Sequence, residues 1–348
     1  MTEYADIIKN NSLHMPIHWW PLFAYHYTNI ENAVSILSMG RLFSRMRAES
    51  LGIMINDNAS RQVIDMTNTS AKKDVRFYFR PLTPTQYHNE GYKHPEIRYY
   101  QDLYANCPVP VFFAFDLAKL LSLPGVTFSE TGRAGGSADM HSGVEDFSKL
   151  DFRRIYAVGP MRNPNEEKLY RQAELAYPDS MNIDTCLKRI LCRNEFEQSM
   201  LLSLLKKKSY LAYRKYLPMI KVNKQNLFEY NGLFINSCIV RNSELSITFA
   251  STQAKQEYTE RQKNRNSISM LSPIHAELML EWTKPSRRQE DLIYRSSAVT
   301  QIDYDQTRMI QFRIPQVKYA KKLSASLFLE NDLICYKEQL LEENSTVI

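Results

Sequence analysis

A few clusters in this 348-residue chain have the residue types to act on another molecule. His26 stands in "FAYHYTNIENAVSILSMGRLFS", residues 23–44, just ahead of an apolar helical pattern. An imidazole can donate or accept a hydrogen bond near neutral pH, yet no neighbouring residue says what His26 holds. A second cluster is basic. From Gln198 to Phe228 there are seven cations (Lys206, Lys207, Lys208, Arg214, Lys215, Lys221 and Lys224) and no acid, with Tyr210, Tyr213, Tyr216 and Phe228 interleaved. Cations meet phosphates and rings stack on bases, so the segment suits a nucleic-acid strand. It equally suits a helix opened by Asn194 and Glu197 whose cationic end complements the macrodipole. A third cluster, "ETGRAGGSADMHSG" at 130–143, has glycines that could cradle an anion. It lacks the spacing of a P-loop or dinucleotide fingerprint and reads as a flexible loop.

The elements that must position these residues are partly legible. Thr28 can cap a helix, with Glu31 completing a capping box. Ile30, Ala33, Val34 and Leu37 recur at helical spacing, and Gly40 can end the helix in a left-handed conformation. "DVRFYF" (74–79) and "VPVFFAFD" (109–116) read as strands. A first unit is expected over residues 1–217. After Pro218 the texture changes, and a second unit is expected over 218–348. It opens with two strands, "GLFINSCIV" and "ELSITFAS", and has a third at "MIQFRI". Thr252 to Ser269 is charged and apolar-poor, so it reads as a linker or an exposed helix.

Composition narrows the class. The chain is 44% hydrophobic, enough for a substantial core, and its net charge of +6 is mild. The five cysteines are odd in number and form no CxxC pair. A reduced, cytoplasmic protein with no disulfide framework and no metal site is expected. The first residues lack the pattern of a secretory signal, and no apolar run approaches a membrane span. Glu174, read by residue type alone, is an ordinary surface glutamate after a charged run. His26 is then a satisfied buried imidazole, and Tyr78, Phe79 and Tyr87 are core.

Four segments in order change that reading. They are His26-Tyr27-Thr28 with "SMGRLFS", Arg61 upstream of "RFYFRPLTPTQY", "LDF" at 150–152, and "RQAEL" at 171–175. Together they resemble the DarT family, toxins that transfer ADP-ribose from NAD+ onto a nucleic-acid base. The family's counterparts are His-x-Thr before a helix ending in Gly-Leu-Leu, "PFYFxPRSPMLY", "LDW" and "RQAEFLV". The family's Met is replaced by Thr85, and the Phe-Leu after its glutamate by Leu175-Ala176.

The resemblance implies an α+β fold, with an ADP-ribosyltransferase-like split β-sheet core and helices. Residues 218–348 would form a mixed α/β extension. NAD+ is the implied cofactor. Glu174 would bind ribose and stabilise an oxocarbenium-like transition state. His26 and Thr28 would hold the nicotinamide end, Tyr78 and Tyr87 would stack on it, and Asn32 would reach a ribose or phosphate. Arg61 would position the pyrophosphate or the acceptor base as a fixed charge. Lys206, Lys207, Lys208, Tyr210 and Arg214 would guide single-stranded DNA or RNA. The base, thymine or guanine in DNA or a base of messenger RNA, stays open. The resemblance further implies a cognate antitoxin, within a toxin–antitoxin or phage-defence system. The rival classes are a protein-directed ADP-ribosyltransferase and an inactive nucleic-acid-binding module. A second Ala-Glu-Leu, around Glu277 in "PIHAELMLEW", is a competing position for the catalytic carboxylate and reads as a capped amphipathic helix or a strand.

Overall fold

The apolar run Val109–Phe115 becomes the spine of a sheet. In the computed structural model, which describes residues 3–53, 69–99, 106–133, 138–223, 225, 227–241, 243–286 and 290–341, nine strands belong to the first part of the chain. They are β1 (Phe23–Asn29), β2 (Arg41–Phe43), β3 (Asp74–Tyr78), β4 (Pro110–Asp116), β5 (Thr127–Ser129), β6 (Glu174–Pro178), β7 (Ser180–Asn182), β8 (Leu187–Cys192) and β9 (Ile220–Val222). Seven of them join in the order β5-β6-β3-β1-β4-β8-β9, while β2 and β7 pair separately. β4 is central and buried along almost its whole length, as its unbroken apolar run requires.

The ladder is uneven, and the unevenness creates the site. β1 pairs with β4 through all seven of its residues, from Phe23↔Asp116 to Asn29↔Pro110. On its other edge it pairs with β3 at Tyr25↔Tyr78 alone. β3 in turn pairs with β6 through all five residues, from Asp74↔Pro178 to Tyr78↔Glu174. The sheet therefore parts between β1 and β3 while both flanks stay zipped, which is the expected split core.

The helix Ile30–Met39 buries Ile30, Ala33, Val34 and Leu37, and Gly40 ends it at φ 66°. Its start differs from the expected capping box. Thr28 lies in β1 opposite Val111, and the cap residue is Asn29, which makes no side-chain cap. Asn29 Oδ1 instead accepts from the Val109 backbone N–H, and its Nδ2 donates to Glu31. Strand pairing holds Thr28 extended one residue too early to cap.

The later residues add β10 (Ile235–Arg241), β11 (Glu244–Phe249), β12 (Ile274–Pro285), β13 (Glu290–Ile302), β14 (Met309–Arg313), β15 (Lys322–Leu329) and β16 (Asp332–Leu340). They form two antiparallel sheets, β10-β11-β14 and β13-β12-β15-β16, around a second apolar core. The charged segment after Thr252 is a helix, Gln253–Asn266, but it is neither a linker nor fully exposed. One side buries Lys255, Tyr258, Thr259 and Gln262. Lys255 is buried because its ammonium donates to the Tyr304 carbonyl and lies 4.1 Å from the Tyr304 ring.

The two cores interlock. Ile220, Leu227 and Phe228 belong to the first core, so this packing continues past residue 217. Tyr92 and Ile97 belong to the second. At the seam the buried Glu90 carboxylate accepts the backbone N–H groups of Glu229 at 2.8 Å and Tyr230 at 2.9 Å. Gly232 must be glycine there, because a Cβ would lie 2.5 Å from the Glu90 carbonyl oxygen. Arg193, fully buried, donates to Glu197 through Nε, lies 3.7 Å from Glu90 and stacks over Phe234 at 4.0 Å.

Candidate active site

Where β1 and β3 part, the side chain of His26 bridges them. Its Nδ1 lies 3.1 Å from the Arg76 carbonyl oxygen. A carbonyl only accepts, so Nδ1 carries the proton and Nε2 is left as an acceptor. Burial lowers the His26 pKa, only partly opposed by the bond to Arg76, so the ring is neutral at pH 7. The rings of Phe77 and Phe113 flank it, each at 6.2 Å.

Across β3, Glu174 begins β6 directly opposite Tyr78. It is fully buried, which removes the reading of it as a surface residue. Arg76 Nε donates to Oε2 at 2.5 Å, and Nη2 donates to Oε1 at 3.0 Å. The Arg133 backbone N–H donates to Oε1 at 2.6 Å. Burial works against the Arg76 charge, and Glu174 more than restores it, holding the guanidinium above its ordinary value. The 130–133 segment is therefore part of the site rather than only a loop. Arg133 also pairs with Asp74, at the head of β3, at 2.8 Å. Gly132 lets the segment lie this close, because a Cβ would sit 2.7 Å from the Gln172 side chain.

Arg171 donates to the Gly159 carbonyl at 2.9 Å. Gln172 packs on Gly132, and the Ala173 carbonyl accepts from Phe79 N–H at 3.1 Å. In "LDF", Asp151 caps the helix Phe152–Ile155, its N–H donates to Glu130 at 2.7 Å, and Phe152 packs edge-on to Phe147 at 5.4 Å. Glu130 and Gly132, held in this way, lead directly to Arg133.

The structure brings Arg76, Tyr78, Arg133 and Glu174 together, and His26 joins them only through the Arg76 main-chain carbonyl. Thr28 is buried two residues along β1 from His26. Asn32 is half-buried in the first turn of the Ile30–Met39 helix. Tyr87 turns toward the later sheets: its hydroxyl accepts from Arg261 at 2.8 Å, and its ring meets Tyr258 at 5.3 Å. Arg61 lies outside the described residues. Arg76 and Arg133 escaped the sequence reading; the alternation of "DVRFYF" marks Arg76 only as one of several residues on one face of a strand.

The basic segment folds as two helices, Glu195–Lys208 and Tyr210–Tyr216. Asn194 caps the first, accepting from Glu197 N–H. Lys207 faces Glu281 at 3.9 Å and Tyr336 at 5.3 Å. Tyr210, 56% exposed, stacks on Tyr213. These helices follow β8, four strands from β6 in the sheet order, which is roughly 19 Å at the usual strand spacing. Glu277 lies in β12, opposite Val299 and Phe328 in the later four-stranded sheet; the segment is a strand.

No group of histidine, cysteine and carboxylate side chains suited to a metal ion occurs among the described residues. All five cysteines are buried and free. No helix among the described residues is long and apolar enough to cross a membrane.

Glu174 lies buried on β6 and His26 on β1, on either side of the parted β1–β3 edge, and residues 25–228 match a family of ADP-ribosyltransferases. The family is DarT, described as ssDNA thymidine ADP-ribosyltransferase; the match spans more than half of the chain, and the chain belongs to this family. Among solved structures it is similar to Thermus sp. 2.9 DarT in complex with carba-NAD+ (18% identity, TM-score 0.45, covering 60% of this chain and 98% of that one). It is also similar to the same protein in complex with ADP-ribosylated ssDNA (17%, TM-score 0.47, 60% and 96%). Thermosipho africanus DarTG in complex with ADP-ribose is a further relative (16%, TM-score 0.44, 63% and 53%). No curated protein matches the chain.

Proposed function

We propose that this chain transfers ADP-ribose from NAD+ to thymidine in single-stranded DNA, with Glu174 as the catalytic carboxylate. The observation that carries the reading is the placement of Glu174: fully buried, on β6 one strand beyond the split, and held by three N–H donors. With NAD+ bound, the bond between nicotinamide and ribose would break, nicotinamide would leave with the electron pair, and a base nitrogen would bond to the ribose carbon while its proton passes to water. Glu174 holds negative charge where the ribose becomes cationic. His26 keeps Nε2 available as an acceptor for an amide. Tyr78, opposite Glu174, walls the site, and Thr28 and Asn32 line the approach along the Ile30–Met39 helix. Arg61 serves as a fixed positive charge for the pyrophosphate or the base. Residues 229–348 buttress the seam at Glu90, and a cognate antitoxin is the partner this reading includes.

The test is to offer labelled NAD+ with single-stranded DNA, duplex DNA, RNA and protein. Label is expected on single-stranded DNA, since a base in a duplex is hidden in the stack. Label confined to protein or RNA would reject the reading.

The basic helices have their own test. Neutralising Lys206 and Lys208 together is expected to weaken oligonucleotide binding and flatten its salt dependence, because fewer counterions are released. Binding measured across a salt series checks this. An unchanged slope would assign the segment to helix-end electrostatics alone.

A further inference from the structure

The carboxylate of Glu174 is oriented chiefly by one residue. Arg76 donates to both of its oxygens, at 2.5 and 3.0 Å. A two-pronged guanidinium fixes the plane as well as the position of a carboxylate, which a point charge cannot do. The fully buried carboxylate also needs a counter-charge, and a single-partner loss in such a pair is costly. Arg76 supplies that charge from the middle of β3, between the buried Val75 and Phe77. Its backbone carbonyl meanwhile accepts from His26 Nδ1. One residue thus ties both proposed substrate-facing groups into a single frame, the carboxylate through its side chain and the imidazole through its main chain.

We propose that Arg76 is a positioning residue for the transfer reaction, fixing the Glu174 carboxylate against the reacting ribose. The proposal rests on the reading of Glu174 given above. It explains why a carboxylate with no solvent exposure keeps a defined orientation, and why β3 carries a long cation at a position flanked by core residues.

The experiment compares the wild-type chain with R76Q, R76K, E174Q and E174Q/R76Q, using NAD+ and a thymidine-containing single-stranded oligonucleotide. R76Q is expected to lose roughly 100-fold in kcat with KM for NAD+ little changed, the signature of an interaction that matters in the transition state. R76K, which keeps the charge and loses the fork, is expected to recover part of the loss. E174Q/R76Q is expected to be no slower than E174Q, because the Arg76 side chain acts only through Glu174 and its main-chain bond to His26 is kept in both variants. If R76Q does not fold, R76K carries the test: a lower kcat at unchanged KM supports the proposal, and a wild-type kcat overturns it. A wild-type kcat in R76Q, or a double variant far below E174Q, also overturns it. Wild-type turnover in E174Q would instead overturn the assignment of Glu174, whatever the Arg76 variants do.

Discussion

Glu174→Gln is expected to slow ADP-ribosyl transfer by roughly a thousandfold or more, with the fold intact. The amide has the shape of the carboxylate, and its oxygen still accepts from the donors that hold Oε1. It loses the Arg76 Nε bond to Oε2, where an NH2 would stand, and the negative charge that grows in value as the ribose becomes cationic. Arg76 remains tolerable without its partner charge because its own side chain is 28% exposed. Glu277→Gln is the control, since Glu277 lies in β12 of the other sheet. Rates on an oligonucleotide and thermal midpoints for both variants settle the matter. An inactive Glu277→Gln beside an active Glu174→Gln would move the catalytic centre into the later sheets.

The largest stability effect is expected at Arg193. Arg193→Met should cost about 3–5 kcal/mol, because it leaves buried carboxylates without their cation. Arg193 has no solvent exposure, and neither does Glu90, 3.7 Å away. Its partner Glu197 is 2% exposed. Burial already raises the Glu197 pKa against the lowering effect of Arg193, so removing the guanidinium leaves the desolvation unopposed. Arg193 also donates to the Pro108 carbonyl at 3.2 Å, next to the Val109 that anchors Asn29. Loss of the pair should therefore loosen β1 as well as the seam. Urea unfolding of the full chain measures the difference. A change below 1 kcal/mol would mean that this network is not a structural anchor.

Local chemistry was readable where a residue's own type decides its role. Gly40 ends its helix because a left-handed residue is needed there, and the apolar run at Val109–Phe115 is a buried strand. His26 and Glu174 emerged only from the order of several short motifs, since neither has a partner close in sequence. Glu174 and Arg76 are 98 residues apart, and only the β3–β6 register makes them neighbours. Arg133 acts on Glu174 through a backbone N–H, which no side-chain pattern can signal. Thr28 was misread for the same reason: its surroundings fit a cap, but pairing with β4 holds it in a strand. The helix after Thr252 looked solvated because its buried side is built from Lys255, Thr259 and Gln262 around Tyr258. Their burial depends on distant acceptors such as the Tyr304 carbonyl.

The identity of the product distinguishes base modification from every alternative. The wild-type chain and Glu174→Gln would each be incubated with NAD+ and a mixed-sequence single-stranded oligonucleotide, and the DNA digested to nucleosides for mass spectrometry. An ADP-ribose adduct on thymidine is expected from the wild-type chain and none from Glu174→Gln in the same time. An adduct on another nucleoside, an unmodified oligonucleotide beside consumed NAD+, or equal product from both proteins would contradict it.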